Sequence, residues 1–160
     1  MRTIQRRIMT AYIVSADGRL LLGKKPPGSG GAYPEDWHNP GGGVAAGETD
    51  EQAVVREVRE ETGIDISGTT ITLIDDKATG QAVKTLPGGE QVLADMHFIV
   101  YKVHLREPAA AIVLQPTDDL VELRWFPLQD IEGIGMTPPA KALFARIGTA
   151  WLRVPQEQNV

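Results

Sequence analysis

The sequence predicts a mixed α/β (α+β) sandwich, and three observations carry that expectation. Apolar, β-prone runs stand on both sides of one well-capped helix. A second amphipathic helix follows the last run, so strands and helices must share a core. The length, 160 residues, fits one ordinary domain and would leave two cramped. That single domain is expected over residues 1–154, with 155–160 a flexible tail.

Taken in order, residues 4–14 (IQRRIMTAYIV) read as a strand, Asp17-Gly18 as a hairpin turn and residues 19–25 (RLLLGKK) as a second strand. Residues 26–43 are crowded with Pro and Gly and read as loop. A loop of that length in a small domain is usually functional or mobile. Residues 49–62 form the strongest helix. Thr49 and Gln52 make a capping-box pattern, Asp50 and Glu51 suit the positive end of the helix dipole, and Gly63 suits its termination. Residues 70–76, 97–105 and 120–126 read as strands, and Leu86-Pro87-Gly88-Gly89 as the tip of a hairpin or lobe. Pro138 starts the closing helix, with Ala142, Leu143, Ile147, Ala150 and Trp151 as its apolar stripe.

Composition removes several kinds of chemistry. The 42% apolar and 23% charged fractions exclude a mostly disordered chain. No apolar run approaches the ~18 residues of a membrane helix, and the N-terminus reads as no secretory signal, so a cytoplasmic protein with no membrane partner is expected. The absence of cysteine excludes disulfides, thiolate metal sites and a cysteine nucleophile. None of Ser15, Ser29 and Ser67 sits in a nucleophile elbow, and no Walker A loop is present. A net charge of −5 makes a nucleic-acid polymer a poor partner. Much of that charge is local. Six acids and two bases lie between Glu48 and Glu61, a concentration that attracts divalent cations.

On a wheel of ~100° per residue, Glu60 falls near −60° and Glu61 near +40° from Glu57. The three carboxylates share a face, beside the apolar stripe of Val54 and Val58. A solvated acidic face is the ordinary reading of such a helix. Here it carries like-charge repulsion of ~0.2–0.5 kcal/mol per pair, partly offset by Arg56 reaching Glu60. A hard divalent cation such as Mg²⁺ or Mn²⁺ would remove the repulsion. Gly41-Gly42-Gly43 precede the helix and permit close approach of a ligand, and the helix N-terminus favours anions.

Residues 42–64 read GGVAAGETDEQAVVREVREETGI. This segment resembles the full signature of the Nudix (MutT-like) hydrolases through Gly42, Glu48, Arg56, Glu57, Val58, Glu60, Glu61, Gly63 and Ile64. The resemblance implies an α/β/α sandwich with a central mixed β-sheet. It also implies Mg²⁺-dependent cleavage, with Mn²⁺ as substitute, of a nucleoside diphosphate linked to another group. By position, Glu57, Glu60 and Glu61 resemble the metal-binding carboxylates, Arg56 the arginine that orients them and Glu48 the supporting acid. The catalytic group set is thus Glu57, Glu60, Arg56 and Glu48, and the resemblance leaves the general base open. A looser similarity, over residues 31–37, the glycines and the long 75–96 segment, points to the bacterial nucleoside triphosphatase branch. It implies a nucleoside triphosphate, leaning to a pyrimidine deoxynucleotide, cleaved to monophosphate and pyrophosphate.

Substrate contacts are expected from Gly42, Gly43, Lys24, Trp37 and Tyr33, beside the metal. Trp37 either stacks on a base or anchors the loop. Lys24 or Lys25 either meets a phosphate or is solvated. His38 either meets the substrate or is structural, and His97 and His104 are structural. Trp125 belongs to the core. Family members often carry a further acid near the 120–126 strand, for which Glu122 and Asp119 are the candidates, with Asp118 beside them; otherwise these are surface acids. Two readings compete with the triphosphatase: an ADP-ribose or nucleotide-sugar pyrophosphatase, and a catalytically silent nucleotide sensor. The implied partner is a small nucleotide, and a homodimer is left open.

Overall fold

The computed structural model describes residues 1–28, 33–117 and 119–155. Its elements follow the chain as β1 (Arg2–Val14), β2 (Arg19–Lys24), β3 (Gly41–Gly43), α1 (Asp50–Thr62), β4 (Thr70–Asp75), β5 (Thr79–Thr85), β6 (Gln91–His104), β7 (Glu122–Pro127) and α2 (Pro138–Ile147). Short 3₁₀ turns occupy Ala109–Ala111, Leu128–Gly133 and Ala150–Leu152.

All seven strands join one mixed sheet, ordered β4-β6-β1-β2-β7, with β3 added to β1 and β5 to β6. Its spine is the parallel pair β1/β6, in register from Arg2 opposite Val92 to Val14 opposite His104. Strand periodicity of two then splits the apolar residues between the two faces. Met9, Ala11, Ile13, Leu21, Ile99 and Val103 meet Val54 and Val58 of α1 on one face. Tyr12, Val14, Leu20, Leu22 and Val100 meet Ala140 and Leu143 of α2 on the other. The expected α/β/α sandwich with a mixed sheet is therefore present. Among the described residues, no helix is long and apolar enough to cross a membrane.

Four expectations need correction. Residues 41–43 are a strand and not loop, because three glycines lie flat against β1, opposite Ile8, Met9 and Thr10. The strand expected from residue 97 starts at Gln91: β5 pairs with β6 from Thr79 opposite His97 to Thr85 opposite Gln91, around the hairpin tip expected at Leu86 to Gly89. The last strand starts at Glu122 and not at residue 120. The closing helix ends at Ile147, where Gly148 has φ +74°, so Ala150 and Trp151 lie on a separate turn. Its buried side is Ala140 and Leu143, while Ala142 and Ile147 face solvent. Ser29, Gly31, Ala32, Asp118 and most of the expected tail lie outside the described residues.

Candidate active site

The site is built on α1, whose ends are fixed as the local sequence demands. The Thr49 hydroxyl accepts from the Gln52 N–H at 3.1 Å, and the Gln52 side chain accepts from the Thr49 N–H at 2.9 Å. At the other end Gly63 takes φ +80° and donates to the Arg59 carbonyl. Buried Val54 and Val58 pin the helix to the sheet and so set which acids face β3.

Arg56 organises the acids. It makes two hydrogen bonds to Glu48, at 2.7 and 2.9 Å, and one each to Glu57 (2.9 Å), Glu60 (3.2 Å) and the Gly43 carbonyl (3.0 Å). Hydrogen bonds from Arg56 and from the Ala45 N–H hold the Glu48 carboxyl at about 2, well below its ordinary value. That geometry makes Glu48 a permanently charged brace and unsuited to proton transfer near neutrality.

Glu57 and Glu61 have a different environment. They are successive on one face, within hydrogen-bond reach of each other. Burial raises the Glu57 pKa against the pull of Arg56. Burial also raises Glu61, and the charges of Glu57 and Asp119 add to it, against the Gly41 N–H that donates to Glu61 at 3.1 Å. Two such carboxyls hold a proton between them that an isolated surface glutamate would release. Glu60 is 58% exposed and is held by Arg56 alone.

The glycines are required by this packing. A Cβ on Gly41 would lie 2.0 Å from the Met9 carbonyl oxygen. A Cβ on Gly42 would lie 2.6 Å from the Glu57 carboxyl. Gly42 thus lets the Glu57 carboxyl pack directly on the backbone of the strip.

Among the described residues, no three of His, Cys, Asp and Glu already form a metal cage. The donor set nevertheless fits a hard divalent cation. A small cation of this kind is usually held by one or two carboxylates, with water and substrate phosphates completing its shell. Glu57 and Glu61 would supply that pair, while Glu60 is held by Arg56 at 3.2 Å.

Of the other expected contacts, Lys24 donates to the Glu35 carbonyl at 3.3 Å and stands 5.0 Å over the Trp37 ring. Arg124 also stands over that ring, at 5.1 Å, and Phe126 meets it edge-on at 4.9 Å. Trp37 therefore has the contacts of an anchor for the loop. Tyr33 has φ +55° and a 42% exposed ring, and its carbonyl accepts from the His38 Nε2–H at 2.8 Å. Asp119 is the acid whose charge reaches Glu61. Glu122 instead pairs with Arg124 at 3.0 Å. Trp125 is half-buried against the α1-side core.

Comparison with known proteins bears on the family and the fold. The family description "NUDIX domain" matches residues 4–151. An oxidized purine nucleoside triphosphate hydrolase of Danio rerio is 32% identical over 78% of this chain and 69% of its own length. The nucleoside triphosphatase NudI of Escherichia coli is 38% identical over 43% of this chain. An RNA pyrophosphohydrolase of Gluconacetobacter diazotrophicus is 46% identical over 38% of this chain. The aligned parts span only 48% and 38% of those two relatives. The crystal structure of a MutT protein from Methanosarcina mazei shares the fold, with TM-score 0.62 and 24% identity over 91% of this chain and 94% of that one.

Proposed function

The chain belongs to the NUDIX family of hydrolases, and on that premise we propose that it cleaves a nucleoside triphosphate to the monophosphate and pyrophosphate with Mg²⁺, or Mn²⁺ in its place. The observation that carries the reading is the Glu57/Glu61 carboxyl pair, raised in pKa and packed against a glycine strip that leaves no room for a side chain. A bound divalent cation supplies charge neutralisation for the phosphates and a more acidic water. The chain's own residues do the rest. Arg56 and Glu48 lock the helix face, so the carboxyls are oriented before substrate arrives. Water adds its oxygen to phosphorus, the anhydride P–O bond breaks, and pyrophosphate leaves with the electron pair. The proton of that water passes to a carboxylate of the Glu57/Glu61 pair. The charge of Asp119 keeps such a group basic.

The relatives named for nucleoside triphosphates support this substrate class. The lean toward a pyrimidine deoxynucleotide rests on the looser sequence similarity. A net charge of −5 weighs against a nucleic-acid polymer as the partner.

The test is a comparison of kcat/KM with Mg²⁺ for the eight common nucleoside triphosphates, ADP-ribose and two nucleotide sugars. A triphosphate should lead. If ADP-ribose or a nucleotide sugar exceeds every triphosphate tenfold, the pyrophosphatase reading replaces this one. Nucleotide binding with no turnover of any of them makes the chain a sensor.

A further inference from the structure

The connection from β3 to α1, residues 44–49, carries Glu48 and must hold its shape if Arg56 is to stay aimed. Part of that shape is internal. The Ala45 N–H donates to the Glu48 carboxylate at 2.9 Å, and the Glu48 N–H donates to the Ala45 carbonyl at 3.1 Å. Gly47 takes φ +76°, which lets the segment turn back on itself between them. A closed turn of this kind is stiff, yet it still has to be placed relative to the sheet.

One residue of β1 ties it down at both ends. The Arg7 carbonyl accepts from the Val44 N–H at 3.0 Å, where the connection begins. The Arg7 guanidinium grips both carboxylate oxygens of Asp50 at 3.1 and 2.7 Å, where α1 begins. A forked pair fixes orientation as well as distance. The hydrogen bonds from Arg7 hold the Asp50 carboxyl below its ordinary pKa, so the pair stays charged at neutral pH.

Arg7 is itself aimed from β6. Arg7 and His97 lie opposite each other in the parallel register, on the face that Met9 and Ile99 turn toward α1. Arg7 Nη1 donates to His97 Nδ1 at 3.3 Å, and His97 Nε2–H donates to the Asp76 carbonyl. A guanidinium only donates and a carbonyl only accepts, so these contacts assign His97 the neutral tautomer with its proton on Nε2. One arginine thus gathers β1, β6, the β4–β5 connection and the first turn of α1.

The rest of α1 is anchored elsewhere. Buried Val54 and Val58 hold its middle, and the Gln115 N–H donates to the Thr62 carbonyl at its far end, at 2.8 Å. A helix held along one stripe can still swing at its first turn, and Arg56 and Glu57 follow within two turns of Asp50. We propose that Arg7 is a positioning residue of the active site. It clamps both ends of the 44–49 connection, and thereby fixes Glu48 and, through Arg56, the carboxyls on α1. The proposal rests on the hydrolase reading above.

The first measurement is amide hydrogen exchange by NMR on the full chain, which needs neither metal nor substrate. Arg7→Gln should speed exchange at Ala45 and Glu48 by about 3- to 10-fold and leave Gly63, at the far end of α1, unchanged. Asp50→Asn should do the same, and the double variant should do no more than either alone. Glu51→Gln removes a first-turn acid that Arg7 does not grip, so it separates the clamp from the helix dipole and should leave those amides as in the parent. With the best triphosphate, Arg7→Gln should lower kcat by about 3- to 10-fold while KM stays within twofold. Exchange within twofold of the parent in a folded Arg7→Gln overturns the clamp, whatever the chain hydrolyses. If Arg7→Gln does not fold, Asp50→Asn decides by the same limit. Faster exchange with an unchanged kcat overturns the positioning role. Faster exchange in a chain that turns over no nucleotide keeps the clamp and removes the hydrolase reading.

Discussion

Glu48, Glu57, Glu60 and Glu61 are chemically one residue type placed in four environments. Glu48 is held charged by three hydrogen bonds, Glu60 is solvated, and Glu57 and Glu61 are crowded together under the glycine strip. Only the last two combine burial with a partner of the same sign, which is what a proton acceptor and cation ligand requires. Glu57→Gln and Glu61→Gln should therefore each lower kcat by about 10²–10⁴. Circular dichroism should show the fold intact. A folded variant with near-parental rate removes that residue from the site. The spacing of these acids was legible in the sequence because helical periodicity is local. Their division of labour was not, since it depends on which carboxyl Arg56 reaches and which Gly42 admits. Asp119 and Glu122 were likewise not told apart in the sequence, because both precede the same tryptophan; in the fold Glu122 pairs with Arg124, while the charge of Asp119 acts on Glu61.

The helix α1 was readable to within a residue, since its capping box and terminal glycine act within a few positions. Thr49→Ala should cost about 1 kcal/mol in chemical denaturation. Strand β3 was not readable: three glycines carry no strand propensity, and only the acceptance of bare backbone by β1 makes them a strand. The tip of the β5/β6 hairpin was legible in Leu86-Pro87-Gly88-Gly89, but its two strands were not, because their pairing is non-local. One cross-element tie gives a pH prediction. Arg146 of α2 donates to both carboxylate oxygens of Asp75 at the end of β4, at 2.9 and 2.7 Å. Hydrogen bonds from Arg146 hold the Asp75 pKa below the ordinary 3.8. A depressed carboxyl stabilises the fold fully above that ordinary value and loses the contribution as pH falls through the folded one. Asp75→Asn should lower the urea midpoint at pH 7 by roughly a few tenths of a molar. The difference from the parent should shrink below pH 3.8 and vanish in stronger acid. A gap that is constant from pH 7 to pH 2 would refute the tie.

At the scale of the molecule, one sheet carries both core clusters, since the alternating residues of β1 feed both faces. Residues 1–154 should accordingly unfold in one cooperative calorimetric transition, with calorimetric and van't Hoff enthalpies equal. Two resolved transitions would divide the domain. The long β1/β6 pairing that unifies the sheet also dictates when it can be made. Arg2 meets Val92, a partner ninety residues later in the chain. During synthesis β1 therefore emerges well before the strand it must join, and the hydrogen-bonding edge of β1 facing β6 waits for a late segment. Closing so large a loop has to precede any reward from the contacts it brings, which places folding among the slower single domains and leaves the nascent chain in need of protection from strand-to-strand association.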